Sequence, residues 1–310
     1  MEQGSMPDLS IKIKDLTFKN PVITASGTYG YGLEFLDYYD VNQLGGITLK
    51  GLSLHPKKGN PVPRIAETPS GMLNAIGLEN VGLENFRSVK LPHIQKELHS
   101  TQIIANIFGN TVEDYAKMAE ETDCLSGIAA LEVNISCPNV KEGGIIFGQE
   151  VGAARSVVKA VRRVVKNKAL IIKLSPNVAE ISDFAHMCQE EGADAVSMIN
   201  TLKGIRIDLN SKRPVLSNIT GGLSGPAIKP VAIRMVYESA RRISIPIIAM
   251  GGVTQGTDVA EFLMAGASLV AVGTANLVNP YAALKILNEF VDYLKRENIF
   301  SASSLVGKAL

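Results

Sequence analysis

The residues best suited to chemistry sit where apolar runs stop. Cys137 ends the run ALEVNISC and opens the loop PNVKEGGIIFGQ, whose Gly143 and Gly144 allow it to move. A partly exposed thiol in a segment that can close is the setting of a reactive cysteine. Its free pKa of about 8.5 lets it act as a base, and a positioned base is worth roughly 10²–10⁴ in rate. Cys124 and Cys188 fall instead in helical stretches and are expected to be buried small apolar residues.

Lys50 ends the run GGITLKG, and Lys173 lies inside ALIIKLSP. Such a lysine either packs its stem on the core with its head at the rim, or presents a cation to an electron-rich ligand. Burying an unpaired ammonium is costly, so two of them beside strand-end amides favour the ligand. Asn74, Asn134 and Asn200 each offer a donor pair and an acceptor, which suits a small ligand with imide or amide edges. Any one of them alone could be a turn residue or a cap. Gly251-Gly252 and Gly273-Thr274 end the last two runs, and GGLSG, closing on Gly225, precedes them. Taken singly these are tight turns; in these paired places they offer N–H groups for a phosphate.

The elements that must position these residues repeat along the chain. Eight short apolar, β-branched runs cover 21–27, 45–51, 103–109, 130–137, 169–176, 194–200, 245–252 and 268–274. They are apolar at nearly every position, as strands covered on both faces are. Amphipathic helical stretches lie between them, at 111–123, 148–166 and 177–192 among others. Thr111 reads as an N-cap, and Gly192 suits a C-cap. Eight such alternations predict an α/β fold, a (β/α)8 TIM barrel forming one domain over residues 1–310. The alternating segment 9–20, LSIKIKDLTFKN, predicts an N-terminal β-hairpin closing the barrel's bottom. Residues 52–90 form a long Gly-, Pro- and Asn-rich insertion at the C-terminal face, where a barrel keeps its site. No GxGxxG or GxxxxGK[ST] motif occurs.

Composition excludes several classes. Lys plus Arg is 31 and Asp plus Glu is 30, a net charge of +1, which gives no reason to expect a nucleic-acid or membrane-surface protein. With 46% hydrophobic and 20% charged residues the chain can bury a large core. It has no tryptophan, so that core rests mainly on Ile, Val, Leu and Ala. Three widely spaced cysteines and four histidines without a ligand motif predict neither a disulfide framework nor a metal site. The opening residues show no signal-peptide pattern, and no apolar run is long enough to span a bilayer, so a cytoplasmic protein is expected.

Over almost the whole chain, from NPVITASGTYG to LVAVGTANLVNP, the sequence resembles the class 1 dihydroorotate dehydrogenases. VNISCPN resembles the family's catalytic stretch and MLNAIGLEN its substrate loop. INTLKGIRID and GGLSGPAIKP are similar to the catalytic subunit of the NAD-linked subclass B. The resemblance implies oxidation of dihydroorotate to orotate on FMN, in pyrimidine biosynthesis. It implies Cys137 as general base at C5, with hydride leaving C6 for flavin N5. It places Lys50, Asn74, Ala75, Ile76, Gly77, Leu78, Asn134, Asn200 and Thr201 on the substrate. It places Ser26, Lys50, Gly51, Asn106, Asn134, Lys173, Ile199, Gly225, Gly251, Gly252, Gly273 and Thr274 on the cofactor. Lys173 would stand by flavin N1 and the C2 carbonyl, where a cation favours the reduced ring. A partner subunit carrying FAD and a [2Fe–2S] cluster is implied, with a homodimer of this chain inside a heterotetramer. Three dispersed cysteines could not hold such a cluster here. Other readings are the fumarate-linked subclass A homodimer, a non-redox barrel using Lys173 as a Schiff base, and a docking scaffold without activity.

Overall fold

The computed structural model describes residues 6–136, 141–142 and 145–310. Eight parallel strands close into a barrel: β1 (Val22–Thr24), β2 (Gly46–Thr48), β3 (Gln102–Ile107), β4 (Ala130–Asn134), β5 (Ala169–Lys173), β6 (Ala195–Met198), β7 (Ile247–Met250) and β8 (Leu269–Val272). Each strand pairs with its neighbours in sequence, and β8 returns to β1. The (β/α)8 expectation therefore holds.

The outer layer contains α1 (Leu91–Glu97), α2 (Val112–Asp123), α3 (Val151–Val164), α4 (Ile181–Glu190), α5 (Lys229–Ala240), α6 (Gly256–Met264) and α7 (Ala282–Arg296). The link from β1 to β2 carries two short 3-10 turns, Leu33–Phe35 and Val41–Gln43. Thr111 caps α2 as expected, its hydroxyl accepting from the Asp114 N–H at 3.1 Å. Gly192, just past α4, has φ 83, a conformation glycine adopts without a Cβ penalty. Cys188 on α4 is buried, but Cys124 is exposed. The expectation of a second buried cysteine fails because Cys124 is the C-cap of α2, where the helix leaves the core.

Strand alternation divides the apolar residues into two packed groups. Leu131, Val133, Leu170 and Ile172 face outward and meet the helices. Ala130, Ile104, Ala169, Ile171, Ala195, Ile248 and Leu269 face inward and form the lower interior. A hairpin of Ile11–Ile13 and Leu16–Phe18 closes that end, placing Ile11, Ile13 and Phe18 among the inward residues. Phe18 is fully buried, worth about 2–3 kcal/mol of burial.

A second sheet stands over the other end. Its antiparallel strands are Leu202–Gly204, Gly221–Ser224, Gly71–Asn74 and Ile65–Thr68, in that order. Two come from the 52–90 insertion and two from the segment after β6, so this lid ties two strand-end loops together. Gly221–Ser224 is thus a strand rather than the turn its glycines suggest. The glycine at 222 is required by packing, since a Cβ there would lie 2.0 Å from Thr201 Oγ1.

Candidate active site

Above the apolar layers the inward positions become polar. Glu132 on β4 is 2% exposed, and Lys173 on β5 is 4% exposed. Their head groups lie 3.6 Å apart, an ion pair inside the barrel. Parallel register sets Asn106 of β3 directly beside Glu132, and Ser197 of β6 beside Lys173. Asn106 Nδ2 donates to Glu132 Oε2 at 2.5 Å, and Ser197 Oγ donates to Glu132 Oε1 at 2.8 Å. Lys173 Nζ also donates to Ser26 Oγ, just past β1, at 3.3 Å. Asn106 Oδ1 is buried without a partner among the described residues. A Cβ on Gly51 would reach 2.8 Å from that oxygen, so Gly51 keeps the acceptor clear. Lys50 is half-buried beside it, its N–H donating to Gly30 O at 2.8 Å.

A chain of amides and hydroxyls runs along the ends of β4 and β6. Ser136 Oγ donates to Asn134 Oδ1 at 2.6 Å, and Asn200 Nδ2 donates to Ser136 Oγ at 2.5 Å. Asn200 Oδ1 accepts from the Thr201 N–H at 2.8 Å, and Asn177 Nδ2 donates to Thr201 O at 3.0 Å. Tyr115 of α2 donates to Asn134 O at 2.9 Å, anchoring the end of β4 from outside. Asn74 joins through the lid: it pairs with Gly222, against which Thr201 is packed.

The segment after Asn74 is held by two asparagines. Asn60 Nδ2 donates to Ala75 O and its N–H to Ile76 O, both at 2.9 Å. Asn80 Oδ1 accepts from the Gly82 N–H, and its Nδ2 donates to Leu78 O, both at 2.9 Å. Between them Gly77 and Leu78 have φ of 79 and 58, a turn whose second residue is the rarer non-glycine case. Ala75, Ile76, Gly77 and Leu78 thus form one fixed loop under the lid.

The strand-end glycines converge as well. Gly225, Gly251 and Gly252 have φ of 94, 130 and 77. A Cβ on Gly252 would lie 2.9 Å from Gly225 O, and one on Gly251 would lie 3.5 Å from Ile199. Gly273 is open toward Ala25, and Thr274 Oγ1 donates to Ser224 Oγ at 2.7 Å, tying β8 to the lid. Asp258 on α6 clamps the Gly252 loop, accepting from the N–H groups of Thr254 and Gln255 and from Lys229 Nζ at 2.7 Å. Burial pushes the Asp258 carboxyl up, but the Lys229 and backbone hydrogen bonds outweigh it and hold the group below its usual value.

Cys137 lies outside the described residues, as do Gly143 and Gly144 of its loop. The other expected residues gather at the C-terminal mouth of the barrel in three groups: Lys173, Ser26, Asn106 and Gly51; Asn134, Asn200, Thr201 and Asn74; and the glycines. Sequence reasoning passed over Glu132, Ser197, Asn60 and Asn80. Glu132 carried a usable signal, a charge within an apolar run like that of Lys173 one strand later. Among the described residues no group of His, Cys, Asp or Glu could hold a metal ion, and no helix is long and apolar enough to cross a membrane.

The family model for dihydroorotate dehydrogenase matches residues 8–294. The chain is 53% identical over 301 residues to a protein of Geobacter sp. strain M21, covering 97% of this chain and 98% of that one. It is 54% identical to one of Geotalea daltonii and 53% identical to one of Geobacter sulfurreducens, at the same coverage of both chains. All three are named dihydroorotate dehydrogenase B (NAD(+)), catalytic subunit. This chain belongs to the dihydroorotate dehydrogenase family.

Proposed function

We propose that this chain is the catalytic subunit of an NAD-linked dihydroorotate dehydrogenase, oxidising dihydroorotate to orotate for pyrimidine synthesis. The observation that carries the reading is the polar floor in the barrel mouth: an ammonium at Lys173 and an acceptor at Asn106 Oδ1 that has no partner among the described residues, with amides at the neighbouring strand ends. That floor fits a flat heteroaromatic cofactor with donors and acceptors on one edge, and the positive-φ glycines fit its phosphate. FMN meets both requirements.

Ser26, Lys50, Gly51, Asn106, Asn134, Lys173 and Ile199 would hold the ring, and Gly225, Gly251, Gly252, Gly273 and Thr274 the phosphate. Bound FMN supplies the two-electron acceptor for the hydride that leaves C6 of dihydroorotate. Asn74, Asn134, Asn200 and Thr201 orient the substrate through its amide edges, and the fixed 75–78 loop closes on its carboxylate. Lys50 stands between the two ligands. Cys137 Sγ would take the C5 proton as general base.

The relatives are of the NAD-linked type, which favours subclass B over the fumarate-linked one. Electrons then leave through a partner subunit with FAD and a [2Fe–2S] cluster, two of each chain forming a cytoplasmic heterotetramer. Lys173 is paired with Glu132, and a paired ammonium is not the free amine a Schiff base needs. The test is anaerobic: purified protein is expected to show an FMN spectrum that dihydroorotate bleaches. A flavin-loaded sample that stays yellow with dihydroorotate removes the proposal.

A further inference from the structure

Glu132 has no role in the reading above, yet it meets side chains from three neighbouring strands in the barrel mouth. Its two oxygens take hydrogen bonds from β3 and β6, and an ammonium from β5 stands against it. Stability does not explain it. Buried ion pairs are seldom more stable than apolar residues of the same size, and the layers just below fill the same interior with Ile, Ala and Leu. What the carboxylate does instead is orient two neighbours. It draws the Asn106 amide round so that one of its two N–H donors is taken and its acceptor, Oδ1, is left without a partner among the described residues. It stands 3.6 Å from the Lys173 ammonium as its counter-ion, while Ser26 Oγ accepts one of the three donors of that ammonium.

We propose that Glu132 is the positioning residue of the cofactor floor. It presents Lys173 as a donor and Asn106 as an acceptor to one ligand edge, and its negative charge offsets that of Lys173. This rests on FMN being the ligand. With the carboxylate in place the charge of Lys173 is offset toward the oxidised ring. With it neutralised, Lys173 becomes an uncompensated cation beside a ring that gains negative charge on reduction, and reduction is favoured.

The experiment measures the midpoint potential of bound FMN in the holoenzyme at pH 6, far below the ordinary lysine pKa of about 10.4. Glu132→Gln keeps size and polarity and loses the charge. Its reduced-to-oxidised ratio at a given potential is expected to rise at least tenfold, about 30 mV for a two-electron couple. Lys173→Gln is expected to shift it the other way by a similar factor. The double variant, Glu132→Gln with Lys173→Gln, has no unpaired charge and is expected to return within threefold of the parent. A rise under threefold in a folded, FMN-bound Glu132→Gln protein overturns the proposal. Should that variant fail to fold, the double variant decides: a potential more than tenfold from the parent overturns it. Stability changes alone cannot produce the return of the double variant. Parent enzyme without FMN, or not bleached by dihydroorotate, defeats the proposed function instead.

Discussion

Gly222→Ala tests whether the lid holds Thr201 against the substrate. The added Cβ would lie 2.0 Å from Thr201 Oγ1 and 2.6 Å from Thr201 Cβ. Ordinary contact begins at 3.4 Å, so Thr201 Oγ1 must retreat by 1.4 Å, or the lid strand must move by as much. The second movement also shifts Asn74, which pairs with residue 222 in the sheet. A misplacement of about 1 Å in a positioning group can cost about 10² in rate. We therefore expect kcat/KM for dihydroorotate to fall about 100-fold, or about 2.7 kcal/mol of transition-state stabilisation. Overpacking should lower stability by only about 1–3 kcal/mol. The polar floor is untouched, so the flavin spectrum should be retained. Steady-state kinetics with a soluble dye as acceptor, alongside absorbance and thermal melting, separates these effects. A folded, flavin-bound variant with kcat/KM within threefold of the parent would refute both the placement of Thr201 on the substrate and the rigidity assigned to the lid.

Cys137→Ala should retain FMN but lose anaerobic bleaching by dihydroorotate by about 10²–10⁴ in rate; stopped-flow absorbance decides, and parent-like bleaching rejects the base role. Gly252→Ala adds a Cβ at φ 77, 2.7 Å from Lys229 Cβ and 2.9 Å from Gly225 O, so FMN affinity of the apoprotein in a fluorescence titration should fall at least about tenfold; unchanged affinity places the phosphate elsewhere. Asp258→Asn removes a charged acceptor of four hydrogen bonds and should cost about 2 kcal/mol, a fall of about 3 °C in melting temperature at neutral pH. Because the Asp258 carboxyl is held below its usual value, its stabilisation is present above the unfolded pKa of about 3.9 and is lost as pH falls through the lower folded one. The gap between parent and variant should therefore be flat near neutrality and narrow only below about pH 4; narrowing already at pH 6 would show another group at work.

The barrel was legible because strands covered on both faces leave long apolar runs, and the polar residue ending each run marks the mouth. Lys173 and Asn134 were found this way. The same rule applied to ALEVN would have found Glu132, whose opposite charge one strand from Lys173 predicts a buried pair. At 221–224 the glycines lie in a strand, and the one at 222 serves a close approach of Thr201 that no spacing along the chain reveals. Asn60 and Asn80 were hidden for a different reason. They act on backbone carbonyls and amides brought to them by the lid, and no spacing along the chain shows which loop they will meet. Cys124 was misjudged because a position one residue past a helix's last turn leaves the periodic face.

The two halves of the mouth differ in what holds them. Floor groups project from strands in a closed sheet, so the positions of Glu132, Lys173, Asn106 and Ser197 follow from register and cannot move without opening the barrel. The 75–78 loop that follows a lid strand is fixed largely by side-chain hydrogen bonds from Asn60 and Asn80, each worth about 0.5–1.5 kcal/mol. A local opening of the lid therefore costs far less than one of the floor. Substrate must enter and orotate must leave, whereas the cofactor stays, and the weaker attachment lies on the side that has to yield. Substitutions at Asn60 or Asn80 should consequently act on substrate binding and release. Those at Glu132 should act on the cofactor's potential, and a variant of either kind that moved the other quantity first would contradict this division.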